Sequence, residues 1–215
     1  MRPRLAPLDS TPPYGCLACG RLACRYTSGY TRAEADAGCG WQCDAAAASS
    51  GYNFTSNEPI GTPSSNGWLF NFGKGIGHLV SWYHARYANS TFIVTENGWG
   101  NASSTMAKNV LDYERCNFYR DYIGNLSVAA ADGAPVAAYF AWSLMDNYEW
   151  ADGFSTRFGL TYVDYASQKR TPKLSAAWFT KHVTPLVKLP TDRRPLPACD
   201  SPDLIEDVLT AALQQ

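Results

Sequence analysis

Thr91-Phe92-Ile93-Val94-Thr95-Glu96-Asn97-Gly98 is a β-branched and aromatic run that ends in one carboxylate and an Asn-Gly turn. The run reads as a strand. A carboxylate at the carboxyl end of such a strand stands where a parallel barrel presents its catalytic groups.

The segments on either side support a barrel. Upstream, Ile76, Leu79, Val80, Tyr83 and Tyr87 follow the spacing of one buried helix face. Downstream, a loop to about Thr105 leads to a helix with Leu111, Phe118, Tyr122, Ile123 and Leu126 on one face, stopped by Gly133. Pro135-Val136-Ala137-Ala138-Tyr139-Phe140-Ala141-Trp142 is then nearly all apolar, as a strand covered on both faces should be. Strand, helix, strand at this spacing is a βαβ unit with a parallel crossover. The fold class is α/β.

Beyond this unit the signals weaken. Ser143 to Gly153 is a polar and aromatic loop, and Arg157 to Tyr165 reads as a short extended return. Thr171 and Pro172 have the character of an N-cap and first helical residue for a helix through Trp178 and Phe179. Residues 185–200 read as a Pro-rich linker. An amphipathic helix capped by Ser201-Pro202-Asp203 follows and reads as an appendage. At the other end, residues 1–25 look irregular, Tyr26 to Tyr30 could end a strand, and the Ala, Gly and Ser-rich stretch to Ser50 reads as loop.

Composition narrows the partners. The 215 residues are 46% apolar and 17% charged, with a net charge of -1, seven Trp and thirteen Tyr. Without a basic stripe the balance favours a neutral small molecule over nucleic acid. No apolar run is long enough to span a membrane. Met1 to Pro7 has positive charge without an apolar core, so no signal peptide is legible, although sequons at Asn53, Asn89, Asn101 and Asn125 point to a secretory parent. The cysteine total, seven, is odd, which argues against a closed disulfide framework. Cys16-x-x-Cys19 lacks the second ligand pair of a zinc site, and neither a metal nor any other cofactor is expected.

The chemistry lies at the two strand ends. Glu96 ends the first, while Asp146, Glu149 and Asp152 follow the second among Trp142, Tyr148 and Trp150. Flat apolar faces beside carboxylate acceptors suit a sugar, whose C–H surfaces and hydroxyls need both. The three histidines, His78, His84 and His182, fall on predicted helices away from any nucleophile elbow.

Thr95-Glu96-Asn97-Gly98, Tyr139 to Trp150, Arg157-Phe158-Gly159-Leu160 and Pro172-Lys173-Leu174-Ser175-Ala176 together closely resemble glycoside hydrolase family 1, the β-glucosidase and myrosinase family. The resemblance implies a partial TIM (β/α)8 barrel over residues 26–184 that retains about the last two to three βα units. It implies a retaining β-glucosidase-type hydrolase with Glu96 as nucleophile and Trp142 as the platform under the sugar. Glu149 would accept from the 4- and 6-hydroxyls, Trp150 would donate to the 3-hydroxyl, and Phe158 would line the pocket. Tyr26 matches the tyrosine that bonds the nucleophile, although Cys24 stands where the family has Asn. Glu149 also implies an unphosphorylated β-glycoside, since a carboxylate would repel a phosphate.

Asn57-Glu58-Pro59 matches the family's acid/base motif in letters only. That motif belongs three βα units before the nucleophile, about 90 residues at roughly 30 per unit, whereas Glu58 precedes Glu96 by 38. The expectation is therefore a chain lacking the first five strands and the acid/base, with an open strand edge and weak independent folding. The alternative function is a non-catalytic fragment that at most binds sugar or a protein partner.

Overall fold

The computed structural model describes residues 59–87, 90–102, 105–186, 193 and 195–213, together with the backbone of three short strands ahead of them. Those strands, β1 (Gly15–Cys16), β2 (Tyr26–Ser28) and β3 (Ala48–Ser50), form one antiparallel sheet. Ala48–Ser50, expected as the end of a loop, instead pairs with Tyr26–Ser28. The side chain of Tyr26, the Cys16 and Cys19 thiols and all of Glu58 lie outside the described residues.

A small hairpin of β4 (Thr62–Pro63) and β5 (Phe70–Asn71) leads into α1 (Gly73–Arg86). Of the expected apolar stripe, Ile76 and Val80 lie in the core and Leu79 and Tyr83 are half-buried, whereas Tyr87, past the end of the helix, is exposed. Next comes β6 (Phe92–Asn97), the strand that carries Glu96. A two-residue strand, β7 (Asn101–Ala102), and two helices, α2 (Met106–Val110) and α3 (Tyr113–Ala131), connect it to β8 (Val136–Ala141). The single helix expected here is broken at Leu111 and Asp112, the C-cap of α2 and the N-cap of α3. Gly133, at φ 100°, turns the chain out of α3 as expected of a stop signal.

β6 and β8 pair in parallel, so the predicted βαβ unit is present. α1 and α3 pack side by side against it. Val94 and Tyr139 face these helices, beside Phe118, Tyr122 and Ile123. Among the described residues each of these two strands is paired on one edge only, and Ile93 and Phe140 are more than half exposed. This is an α/β fold holding part of a barrel, not a closed one.

The chain returns through β9 (Thr156–Arg157), β10 (Thr161–Val163) and β11 (Arg170–Pro172) to α4 (Leu174–His182). Thr171 is not the helix cap. It pairs with Tyr162 in the β10–β11 ladder, and Lys173 takes the N-cap position. The start of α4 is instead held by Asp112, whose carboxylate accepts from Ser175 N at 2.8 Å and Ser175 Oγ at 2.6 Å. The last helix, α5 (Pro202–Leu213), is no loose appendage: Leu204 and Val208 are buried in the common core.

Two buried carboxylates bind these pieces together. Asp146 accepts from Arg157 Nη1 and Lys173 Nζ, both at 2.7 Å, from Gly159 N at 3.0 Å and from Val163 N at 3.3 Å. Asp112 bonds Arg115, which also donates to Trp99 O at 2.8 Å and Arg157 O at 2.6 Å. Burial, with the Arg115 guanidinium second, lowers the Lys173 ammonium to about 7, against the upward pull of Asp146 and Asp112. Burial likewise raises the Asp112 carboxyl, against the pull of Arg115 and Lys173 and the bonds from Ser175.

Asp146→Asn strands two buried cations with reduced compensation, and urea unfolding is expected to show a loss of about 3–5 kcal/mol. Lys173 supplies a pH test. Unfolded, it keeps its proton to about 10.5, whereas folded it gives the proton up from about 7. The unfolded chain holds more protons in that window, so this group's contribution to stability rises with pH across it. Urea midpoints at the two ends of the window should show that rise in the wild type and its loss in Lys173→Met.

Candidate active site

Glu96 owes its position to a break in the ladder. From the pair Val94–Tyr139 to the pair Asn97–Ala141, β6 advances three residues while β8 advances two. The extra residue falls at Thr95-Glu96, and a bulge of this kind re-aims a side chain at a strand end. Glu96 is half-buried, while Asn97 and Gly98 behind it are buried.

The ends of β6 and β8 are locked together. Trp142 N donates to Asn97 O at 2.8 Å, and Tyr139 Oη donates to Asn97 Oδ1 at 2.7 Å. Tyr119 Oη reaches over from α3 to Trp142 O at 3.0 Å. A Cβ on Gly98 would lie 1.8 Å from that same carbonyl oxygen, so only glycine permits this approach. The Trp142–Ser143 peptide bond is cis.

The loop after β8 zips onto the returning segment. Ser143 N donates to Phe158 O at 3.1 Å, and Leu160 N returns a bond to Ser143 O at 2.8 Å. This fixes Phe158, 4% exposed, beside the strand ends. Further along, Glu149 N bonds Gly153 O at 2.7 Å across a tight turn, Trp150–Asp152, which holds Glu149 inward at 9% exposure.

The outcome is one small pocket lined by Glu96, Asn97, Gly98, Trp142, Glu149 and Phe158. Four of the six expected site residues, Glu96, Trp142, Glu149 and Phe158, therefore meet. Trp150 does not line that pocket. It has positive φ, 43°, and its side chain is 59% exposed. Tyr26 belongs to β2, and its side chain is outside the described residues.

The other carboxylates of the loop have different work. Asp146 is consumed by the buried network, and Asp152 accepts from Thr156 Oγ1 at 2.8 Å. Asn97 and Gly98 also line the pocket, whereas sequence alone assigns this Asn-Gly pair only the turn after Glu96. A larger cavity between Asn101, Lys108 and Glu114 contains none of the pocket side chains. Among the described residues no group of His, Cys, Asp and Glu could hold a metal ion.

Chemically the pocket sets two carboxylates beside two aromatic faces. It is rich in acceptors, which disfavours an anion. Gly98→Ala should force the strand ends apart, costing about 1–3 kcal/mol or more. A lowered urea midpoint together with an altered near-ultraviolet signal from the tryptophans would register it.

Known proteins resemble the chain over the same region. The family described as Glycosyl hydrolase family 1 matches residues 24–185. Beta-glucosidase 44 of Arabidopsis thaliana is 45% identical over 123 residues, which are 57% of this chain and 24% of that protein. Among solved structures, the rice Os3BGlu6 β-glucosidase superposes with a TM-score of 0.59 at 37% identity, covering 64% of this chain and 29% of that one. A fungal β-glucosidase from Humicola insolens, solved in complex with glucose, superposes with a TM-score of 0.56 at 39% identity, covering 61% and 28%. The chain thus spans about a quarter of the length of its relatives.

Proposed function

We propose, from the fact that this chain belongs to glycosyl hydrolase family 1, that it carries the nucleophile side of a retaining β-glucosidase site. The observation that carries the reading is the convergence of Glu96, Trp142, Glu149 and Phe158 on one pocket. Glu96, re-aimed by the bulge, attacks the anomeric carbon and forms a covalent glycosyl-enzyme. Trp142 supplies the flat face beneath the sugar ring, Phe158 lines the wall, and Glu149 accepts from the 4- and 6-hydroxyls.

In the same reading Tyr26 orients the nucleophile, and Trp150, which follows Glu149 but stands outside the pocket lining, donates to the 3-hydroxyl. The substrate is an unphosphorylated β-glycoside, which is supported by glucose bound to the Humicola insolens relative and by the buried carboxylate of Glu149. The mechanism needs a second carboxyl about 5–5.5 Å from the nucleophile to protonate the leaving group. Glu58 is not proposed for that role, because its spacing from Glu96 is too short for three βα units.

A second reading is a non-catalytic fragment that binds sugar without turning it over. It is favoured by the pocket lining, whose two carboxyls among the described residues are the nucleophile and the hydroxyl acceptor, Glu96 and Glu149, with no third to protonate a leaving group.

A 2-deoxy-2-fluoro β-glucoside with a dinitrophenolate leaving group separates the two. That leaving group departs without protonation, so the first displacement depends on the nucleophile alone. Mass spectrometry should find the fluoroglucosyl adduct on Glu96 and none in Glu96→Gln. An unmodified Glu96 in folded protein rules out the catalytic reading for this chain.

A further inference from the structure

Residues 195–213 lie beyond the stretch that matches the family, 24–185, yet three of their side chains, Cys199, Leu204 and Val208, are buried in the same core. Cys199, 2% exposed, is bonded to Cys116 of α3, 0% exposed, across 83 residues of sequence and a Cα separation of 6.0 Å. Two residues before Cys199, Pro197 O accepts from Trp178 Nε1 of α4 at 2.9 Å. After it, α5 packs on α4 and β11, with Leu204 at 1% and Val208 at 3% exposure. The segment thus grips α3 through a sulfur and α4 through an indole and an apolar stripe.

The stripe alone is thin. α5 has 12 residues, and its Leu209 and Leu213 remain 44% and 88% exposed. A helix of this length is marginal by itself in water, so its persistence depends on docking. A bond that closes a loop of this size favours the folded over the unfolded chain by about a thousandfold in the chain-entropy account.

We infer that Cys116 and Cys199 are an oxidation site that locks residues 195–213 as a clasp across α3 and α4. The two thiols lose two protons and two electrons as the sulfur–sulfur bond forms. A disulfide-class oxidant, a protein or glutathione disulfide, takes them up and leaves as two thiols. The clasp therefore closes only where such an oxidant prevails, and the folded chain belongs to an oxidising compartment.

The test does not depend on activity. Peptide mapping of the folded chain without reductant should recover the Cys116 and Cys199 peptides joined to each other. Amide hydrogen exchange should then show α5 losing protection at least tenfold in Cys199→Ala and in Cys116→Ala, while α3 stays within twofold. The same exchange measured on folded wild type after phosphine reduction covers the case in which a variant does not fold. Free thiols at 116 and 199, pairing of either with another cysteine, or α5 protection that is equal with and without the bond would each overturn the inference.

Discussion

The carboxylate of Asp146 is the point on which the rest of the structure depends. It lies in the loop after β8 and is removed from water, yet it binds Arg157 of β9, Lys173 at the head of α4 and the amides of Gly159 and Val163. Two cations buried this deeply are tolerated only because one well-bonded anion serves both. Asp112 does the same between α3, Arg115 and the head of α4. Through Arg115 and Arg157 the two carboxylates join into one network under the strand ends.

That network explains the placement of the pocket. The loop carrying Glu149 and the segment carrying Phe158 are both tied down by Asp146, while the loop after Glu96 is tied down through Trp99 O and Arg115. The pocket side chains are therefore held by a shell of polar bonds one layer below, as a preorganised site requires. The close approach of Gly98 to the Trp142 carbonyl and the bulge at Glu96 finish the positioning.

Contacts between segments distant in sequence override local chemistry at several points. Thr171 has the chemistry of a helix cap, but the β10–β11 ladder claims its backbone and Asp112 caps α4 from outside. Ladder pairing across residues distant in sequence leaves no local signature. The same holds for the Cys116–Cys199 bond, which an odd cysteine count obscured, and for the docking of α5. Asp146 and Glu149 sit three residues apart in the same loop, where residue type leaves both as acceptors and only the family resemblance singles out Glu149. Burial separates them, one into the network and the other into the pocket.

Local pattern alone determined the strand ending at Glu96, the helices on either side of it, the parallel βαβ unit and the family. These rest on periodicity, turn chemistry and contiguous motifs, which are properties of neighbouring residues. Only tertiary structure decided that Asp146 is spent in a buried ion network, that β6 bulges at Glu96, that Trp150 stands outside the pocket lining, and that residues 195–213 grip the helices. Each of these depends on which groups lose water together once distant segments pack, and that is set by the fold as a whole.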